Sequence, residues 1–387
     1  MFHRFISPLS SSSFFIFGAR GTGKSTFLKG FFEHKKVLWF DLLNPEVEDL
    51  FSRHPMALSE EVHTKKDSLE WVVIDEVQKQ PKLLDVVHSL IESTSVKFAL
   101  TGSSARKLKR GGANLLAGRA FMNYLFPLTH LELKERFNLI EALQWGTLPQ
   151  IFHLNTEEEK QAFLTTYAQA YLKEEIRMEH IIRRLEPFRR FLEVAAQSNS
   201  EIINFTNIAR DIGTDPKTVQ SYFQILEDTL IGFILEPFHY SIRKQQRMNP
   251  KFYFFDGGVQ RALARQLSLK LLPSTYAYGK AFEHFLILEI YRLNQYFKKE
   301  YRLSYLRTKD DAEIDLIIER PGADIVLVEI KSATHVDERD TRTLQRFVKD
   351  FENPCVLLLS QDPHPKKIKD VLALPWTEGL KEIGLGK

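Results

Sequence analysis

The chain has 387 residues, of which 43% are hydrophobic and 27% charged, and its formal net charge is +3 at pH 7. This length predicts two or three domains, and the composition is ordinary for a soluble globular protein. The single cysteine, Cys355, excludes internal disulfides and thiolate metal sites, which fits a reducing cytoplasm. A membrane span is excluded because no run of about 18 apolar residues occurs. So mild a net charge does not by itself indicate nucleic-acid binding.

The N-terminal segment MFHRFISPLSSSSFFIF resembles a signal peptide only weakly, because its short apolar part runs straight into a glycine-rich loop. We therefore predict a strand, followed by the loop GARGTGKS and a helix. This is the context of a phosphate-binding loop, whose backbone N–H groups and helix N-terminus hold phosphate oxygens. The predicted nucleotide-binding residues of the loop are Gly18, Ala19, Arg20, Gly21, Thr22, Gly23, Lys24, Ser25 and Thr26.

WVVIDE at 71–76 is the expected second part of the nucleotide site, since four apolar residues predict a buried parallel strand with two acids at its end. Lys24 is expected to reach the β- and γ-phosphates and Ser25 to bind Mg²⁺. Asp75 would hold the same Mg²⁺ through water. Glu76 would act as general base on the attacking water.

Three more strands complete the predicted N-terminal sheet, at 37–43, 97–104 and 121–126. The first is a buried strand that lies between the lysine and acid motifs, which separates additional-strand ATPases from simple kinases and GTPases. The second ends in hydroxyl groups, those of Thr101 and Ser103, that could sense the γ-phosphate. A basic stretch without acids runs from 93 to 131 and contains Lys97, Arg106, Lys107, Lys109, Arg110 and Arg119.

GARGTGKST, WVVIDEVQK, LTGSSARKL and LAGRAFMNYLFPLTHLEL resemble the AAA-type (AAA+) P-loop ATPase domain widespread in bacteria and archaea, where it is joined to a C-terminal region of unassigned function. The resemblance implies ATP and Mg²⁺ as cofactors and a ring-forming homo-oligomer, such as a hexamer. Arg119 falls just before the fifth strand, where such rings place the arginine finger that enters a neighbour's site. Arg106 is the alternative finger, and either arginine could instead be solvated.

Residues 129–200 alternate apolar and charged positions at helical spacing, which predicts a helical lid or linker. FTNIARDIGTDPKTVQSYFQILEDTLI at 205–231 predicts a helix-turn-helix, with a turn near Gly213 and a second helix capped at Asp215-Pro216. Polar residues at the start of this second helix could meet phosphates or base edges, but winged helices also serve as protein-packing modules. The candidate nucleic-acid contacts are Lys217, Thr218, Gln220, Arg243, Lys244 and Arg247.

AEIDLIIE and IVLVEIKSA, near the C-terminus, predict two strands after a long helix that begins at GKAFEHF. Period-two alternation places Glu313, Asp315 and Ile317 on one face, and Ile314, Leu316 and Ile318 on the other. In the next strand Glu329 and Lys331 share a face. If the strands pair, acids from both converge at one end, which a Mg²⁺ site would use and an apolar core would not.

Helix Glu, strand Asp and then Glu-x-Lys resemble the PD-(D/E)xK nuclease fold of restriction-type enzymes and junction resolvases. The resemblance implies that Glu283 assists metal binding, that Asp315 and Glu329 bind the metal and that Lys331 is catalytic. The sequence departs from that pattern because Glu313-Ile314 stands before the Asp in place of Pro. A structural remnant with solvated charges is the alternative.

These observations predict an α/β protein of four parts: an AAA+ ATPase domain (1–128), a helical lid (129–200), a winged helix-turn-helix (201–250) and a PD-(D/E)xK nuclease-like domain (251–387). The predicted function is Mg²⁺-dependent ATP hydrolysis coupled to binding or remodelling of DNA in the cytoplasm, as in repair, recombination or defence. One alternative is an ATP-dependent switch or regulator with a vestigial nuclease domain. The other is an ATP-gated, metal-dependent DNA nuclease.

Overall fold

The computed structural model describes residues 2–104, 116, 118–171, 185–239, 248–308 and 310–386. The chain divides into two compact units, which are described separately. Unit 1 comprises Met1–Leu128, Leu148–Gln150 and Ile225–Ile231, and unit 2 comprises Thr129–Thr147, Ile151–Gln224 and Gly232–Lys387. The finer four-part division stays a prediction.

Unit 1 is built around a parallel sheet of five strands. They are β1 (Ser13–Phe17), β2 (Val37–Asp41), β3 (Trp71–Asp75), β4 (Lys97–Gly102) and β5 (Ala120–Tyr124). Their order across the sheet is β2-β3-β4-β1-β5, and all neighbours are parallel. A parallel sheet is covered on both faces, which explains why every residue of β1 and β3 is buried. Strand β4 therefore separates the strands that precede the lysine and acid motifs.

The two edges of this sheet are less buried than its centre. Strand β2 was predicted as a buried strand, but Val37, Leu38 and Trp39 are only partly buried because β2 has a neighbour on one side alone. At the opposite edge, β5 exposes about half of two apolar side chains, Phe121 (52%) and Met122 (51%).

Among the described residues, four α-helices lie between the strands of unit 1: α1 (Lys24–Phe31), α2 (Pro45–Arg53), α3 (Ala57–Lys65) and α4 (Leu83–Ser93). Helix α2 begins where the side chain of Asn44 accepts a hydrogen bond from the backbone N–H of Glu46, with Pro45 in the first turn. Helix α4 directs Leu83, Val87 and Leu90 into the same apolar cluster as the strand residues, which fixes it against the sheet.

Unit 2 contains a mixed sheet of eight strands. They are β6 (Gly232–Pro237), β7 (Lys251–Phe254), β8 (Arg302–Arg307), β9 (Glu313–Glu319), β10 (Val326–Lys331), β11 (Cys355–Ser360), β12 (Lys366–Ile368) and β13 (Val371–Pro375). Their order is β12-β13-β11-β10-β9-β8-β6-β7. Strand β9 is antiparallel to both of its neighbours, β8 and β10, whereas β10, β11 and β13 are parallel.

The described helices of unit 2 are α5 (His130–Leu133), α6 (Leu139–Trp145), α7 (Glu157–Thr166), α8 (Leu185–Gln197), α9 (Phe205–Ile212), α10 (Pro216–Asp228), α11 (Gly257–Leu263), α12 (Tyr276–Tyr296), α13 (Arg342–Phe347) and α14 (Trp376–Glu382), with the last residues of α10 counted in unit 1. Helix α12 covers one face of the sheet, where Leu286 and Ile290 pack with Val328. Helix α13 covers the other face, where Leu344 packs with Leu327.

Helices α9 and α10 are joined by a turn in which Gly213 has a φ of 71° and ends α9. An antiparallel hairpin of β6 and β7 follows them, and the winged helix-turn-helix stays a prediction. Strand β6 also pairs in parallel with β8, so the hairpin is the end of the eight-stranded sheet. This hairpin lies on both sides of the predicted 250/251 boundary.

Strand β9 departs from the predicted alternation. Ile314 packs with Ile317 in one apolar cluster, whereas Leu316 and Ile318 pack in the other. The cause is a bulge, because Ser304 pairs with Ile317 but Leu306 pairs with Ile314, so Asp315 and Leu316 stand opposite one residue of β8. The prediction that Ile314, Leu316 and Ile318 share a face was therefore wrong, and the bulge sets the direction of Asp315.

Candidate active site

The loop between β1 and α1 requires glycine at three positions. Gly21 and Gly23 have φ values of 80° and 94°, which residues with a Cβ rarely adopt. A Cβ on Gly18 would lie 2.3 Å from the carbonyl oxygen of Leu125. The buried Thr22 closes the loop, since its hydroxyl donates to the carbonyl of Ala19 over 2.8 Å. The loop is thus compact before any ligand enters it.

Lys24 lies at the first position of α1 and is 6% exposed. Its ammonium donates to the carbonyl of Gly18 over 2.7 Å and lies 3.8 Å from Oε1 of Glu76. Thr26 is exposed in the first turn of the helix, and Arg20 is partly buried in the loop. The fold therefore places the buried ammonium of Lys24 at the N-terminus of α1, a combination that suits phosphate oxygens.

Ser25 and Asp75 meet where α1 begins and β3 ends. The Ser25 hydroxyl donates to Oδ2 of Asp75 over 2.6 Å, and the buried Thr101 hydroxyl donates to Oδ1. A hydroxyl and a carboxylate are hard oxygen donors, and Mg²⁺ in nucleotide sites takes few protein ligands beside waters and phosphates. The pair predicted to hold Mg²⁺ from the sequence is thus in direct contact and fits that ion.

Glu76 has a left-handed backbone, with φ 60° and ψ 46°, which costs free energy for a residue with a Cβ. Its N–H donates to the Thr101 hydroxyl over 3.1 Å, which anchors this conformation. The turn directs its carboxylate toward the ammonium of Lys24, so the predicted general base and the predicted phosphate lysine share one space.

Gln78 was missed by the sequence analysis. Its side-chain N–H group donates to the Glu76 carboxylate and, over 3.0 Å, to the hydroxyl of Ser103. The side chain is 8% exposed, and its carbonyl oxygen has no hydrogen-bond partner within the described residues. The only local signal was a glutamine two residues after the acid pair. Gln78 joins the predicted base to the residue predicted to sense the γ-phosphate.

Arg119 lies on the surface of unit 1, with 39% of its side chain exposed. Its Nε donates to Oε1 of Glu92 over 3.1 Å. This hydrogen bond and the arginine charge lower the pKa of Glu92. The role of Arg119 as an arginine finger stays a prediction, and the alternative, Arg106, lies outside the described residues.

In unit 2, the four residues predicted from the nuclease resemblance lie in one polar cluster, in which Glu283 and Glu329 are buried, Asp315 is partly buried and 40% of the Lys331 side chain is exposed. Oδ2 of Asp315 accepts a hydrogen bond from the Ile330 N–H over 2.7 Å, and Lys331 donates to Oε1 of Glu329 over 2.6 Å. Burial, the charge of Glu329 and the charge of Glu283 raise the pKa of Asp315 well above its ordinary value. Burial also raises the pKa of Glu329.

The same cluster contains basic and aromatic residues that the sequence analysis missed. Lys251, on β7, is 1% exposed; its ammonium bonds to Glu313 and lies 3.7 Å from Oε1 of Glu283. Lys280 donates to Oε2 of Glu283 over 3.2 Å, and the Tyr253 hydroxyl donates to Oε1 over 3.0 Å. Within the described part of the chain, no three His, Cys, Asp or Glu side chains are arranged to hold a metal ion. The metal-ligand roles of Glu283, Asp315 and Glu329 stay predictions.

The candidate nucleic-acid residues divide between described and undescribed parts of the chain. Lys217 and Gln220 are exposed on α10. Thr218 is occupied locally, since its hydroxyl donates to Oδ2 of Asp215 over 2.6 Å and its N–H donates to Oδ1 over 3.0 Å. Arg243, Lys244 and Arg247 lie outside the described residues.

Comparison with protein-family models supports the AAA-type prediction for unit 1. Residues 10–134 match the model described as "AAA domain". This part of the chain is similar to AAA-type P-loop domains. The match supports the AAA-type prediction for these residues. Residues 136–270 and 278–378 match two further models, each described as a domain of unknown function (DUF8612 and DUF4143).

Curated relatives extend over most of the chain. An uncharacterized protein of Mycobacterium tuberculosis is 26% identical over 312 residues, which cover 79% of this chain and 67% of the relative. An uncharacterized protein of Methanocaldococcus jannaschii is 23% identical over 368 residues, which cover 87% of this chain and 79% of the relative.

Two solved structures are similar at low TM-scores. The Aeropyrum pernix ORC1 protein in complex with DNA is 11% identical, with a TM-score of 0.30, and the match covers 66% of this chain and 86% of that one. A signal transduction ATPase with numerous domains from Pyrococcus horikoshii is 14% identical, with a TM-score of 0.23, and the match covers 75% of this chain and 45% of that one. These TM-scores are too low to assign a fold. Separately, none of the described helices is long and apolar enough to cross a membrane.

Proposed function

We propose that the chain hydrolyses ATP in a Mg²⁺-dependent reaction at the AAA-type domain. The observation that carries this proposal is the meeting of Lys24, Ser25, Asp75 and Glu76 at the carboxyl ends of β1 and β3. Bound Mg²⁺ would supply positive charge against the phosphates, held by Ser25 and Asp75. Gly18, Ala19, Arg20, Gly21, Thr22, Gly23 and Thr26 complete the loop around the phosphates.

Each of the other residues of the site has a separate role in hydrolysis. Lys24 leaves the Gly18 carbonyl and balances charge on the β- and γ-phosphates. Glu76 accepts a proton from the attacking water, while Gln78 keeps its carboxylate in place and connects it to Ser103. Arg119 completes the site of a neighbouring subunit, so the active form is a homo-oligomer, proposed as a ring such as a hexamer.

Two substitutions separate binding from chemistry. Lys24→Ala should abolish ATP binding, whereas Glu76→Gln should keep binding and lower kcat by roughly 100-fold or more. Fluorescent-nucleotide titration and phosphate release measure the two quantities. Lys29→Ala, an exposed position of α1, is the matched control and should behave as the wild type. A Glu76→Gln variant that hydrolyses ATP normally would exclude Glu76 as the base.

We further propose that ATP turnover is coupled to DNA through the winged helix-turn-helix and the nuclease-like region. Support comes from the exposure of Lys217 and Gln220 on α10, near a turn already fixed by Thr218 and Asp215. Lysine contacts to phosphates position a protein on DNA, and polar side chains can reach base edges. Arg243, Lys244 and Arg247 would extend the contact along the backbone.

The deciding experiment measures the ATPase rate against single-stranded, duplex and branched DNA over protein concentrations that span assembly. Stimulation by one of these DNAs supports coupling to DNA. A flat response would instead favour the second candidate, an ATP-dependent switch that acts on a protein and carries a vestigial nuclease region. The ion pairs of Glu283 and Glu329 with lysines favour that candidate over an ATP-gated nuclease that uses Lys331 for cleavage.

A further inference from the structure

The acid cluster of unit 2 already contains a cation. We propose that the ammonium of Lys251 occupies the space among Glu283, Glu313 and Asp315 that a metal ion would fill, so that this cluster is an ion-pair junction that excludes Mg²⁺. The inference rests on the proposed nuclease-like nature of residues 251–387. It concerns a different site from the ATPase.

The ammonium of Lys251 is buried and held in place by ion pairs. The residue stands on β7, is 1% exposed, and lies between acids of two other elements: Glu313 at the start of β9 and Glu283 on α12. Its ammonium also lies 5.3 Å from the ring centroid of Tyr305. A buried lysine held by carboxylates and an aromatic face has no solvent to move into, so a metal ion could enter only by displacing it.

The carboxylates of the cluster also have partners from the protein itself. Glu283 accepts hydrogen bonds from Tyr253 and Lys280, Asp315 accepts one from the Ile330 N–H, and Glu329 pairs with Lys331. One acid oxygen, Oε2 of Glu329, is buried without a partner in the described residues. Most of the other carboxylate oxygens of the cluster contact protein donors, so a Mg²⁺ ion could take them as ligands only by displacing those donors.

The inference assigns a role to the cluster other than cleavage. Lys251 ties β7 to β9 and α12 by charge, while β6 ties the same hairpin to β8 by backbone hydrogen bonds. The hairpin that follows α9 and α10 is thereby fixed to the C-terminal sheet through two independent sets of contacts.

Mn²⁺ binding to the full-length, nucleotide-free protein tests the inference, with free Mn²⁺ measured by electron paramagnetic resonance. Asp315→Asn should not remove any Mn²⁺ site that the wild type has. Lys251→Met, which keeps the apolar stem but removes the charge, should gain one Mn²⁺ site that the wild type does not have. That gained site should disappear in Lys251→Met/Asp315→Asn. Lys251→Arg, the matched control, keeps the charge and should gain no site.

Two results would overturn the inference: a wild-type Mn²⁺ site that Asp315→Asn removes, or a folded Lys251→Met variant that gains no site. If Lys251→Met does not fold, the comparison of wild type with Asp315→Asn decides alone. Neither measurement involves ATP or DNA, so failure of this inference leaves the ATPase proposal untouched. Likewise, an ATPase rate that does not change with DNA would not bear on the inference about Lys251.

Discussion

The side-chain amide of Gln78 lies 3.0 Å from the hydroxyl oxygen of Ser103, to which it donates a hydrogen bond. The same nitrogen contacts the carboxylate of Glu76. The two bonds connect the end of β4 to the residue after β3, so a shift at Ser103 reaches the proposed base through one side chain. In this way occupancy at the γ-phosphate position could alter the orientation of the base.

Gln78→Ala should lower kcat for ATP by roughly tenfold, because Glu76 loses the group that orients it. Nucleotide affinity should stay close to that of the wild type, since the hydrogen bonds of Gln78 go to Glu76 and Ser103, which lie outside the phosphate loop. Gln78→Glu should move the acid limb of the pH–kcat profile to higher pH, because a second carboxylate raises the pKa of its neighbour. Gln80→Ala is the control. If Gln78→Glu loses as much kcat as Gln78→Ala and its pH profile does not move, the role of Gln78 is only structural.

Arg119→Ala should lose ATPase activity and regain it on mixing with Glu76→Gln protein. In a mixed assembly, the Arg119→Ala subunit keeps its own Glu76 and receives Arg119 from its neighbour. Steady-state phosphate release against mixing ratio measures the recovery, which should pass through a maximum. Glu92→Gln removes the surface partner of Arg119 and should leave the rate unchanged. No recovery at any ratio would mean that Arg119 acts within its own subunit or not at all.

Lys217→Ala should weaken DNA binding by a similar factor for all sequences and lower the slope of log affinity against log salt by about one. The reason is that a lysine at the exposed start of α10 would neutralise one phosphate. Fluorescence anisotropy at several salt concentrations measures both quantities. Lys367→Ala removes an exposed lysine of β12, at the opposite end of the sheet, and is the control. An unchanged salt slope in Lys217→Ala would exclude a phosphate contact.

His284 should make the protein less stable as pH falls. Burial, with a contribution from Arg292, lowers the pKa of His284 from 6.5 to about 4, against an opposing effect of Glu283. Between these values the unfolded chain binds a proton that the folded chain does not. Stability is therefore fully present above pH 6.5 and declines toward pH 4, by about 3 kcal/mol in all.

Urea unfolding of the wild type and of His284→Gln at pH 7, 6, 5 and 4.5 measures this effect. Gln can replace the ring N–H that donates to the carbonyl of Phe254 over 2.7 Å, but it does not titrate. The stability advantage of the wild type should shrink as the pH falls. A difference that stays constant over this range would contradict the assignment to His284.

The local parts of the fold were predictable from the sequence. The loop from Gly18 to Ser25 carries its own conformation, since positive φ values at Gly21 and Gly23 and the close approach at Gly18 require glycine whatever surrounds them. The acid pair at Asp75 and Glu76 follows a strand whose apolar run predicts burial on both faces.

Features that depend on distant residues were not predictable. The bulge in β9 arises from its pairing with β8, and a two-residue period carries no sign of it. Lys251 meets Glu283 and Glu313 only because β7 and α12 converge, more than 30 residues apart in the chain. Gln78 looked like an ordinary turn residue, and only the position of β4 beside β3 brings Ser103 to it.

The pairing of β6 with β8 bears on how the chain can be cut. A fragment that starts at Lys251 would keep β7 but lack β6, to which β7 is hydrogen-bonded in the sheet, and would also lack Ser200, whose N–H donates to the carbonyl of Phe252 over 3.0 Å. A fragment that ends at Pro250 would carry β6 with both of its edges open. Limited proteolysis should therefore yield a C-terminal core that retains both strands, and separate expression of shorter pieces should give protein that aggregates through bare strand edges.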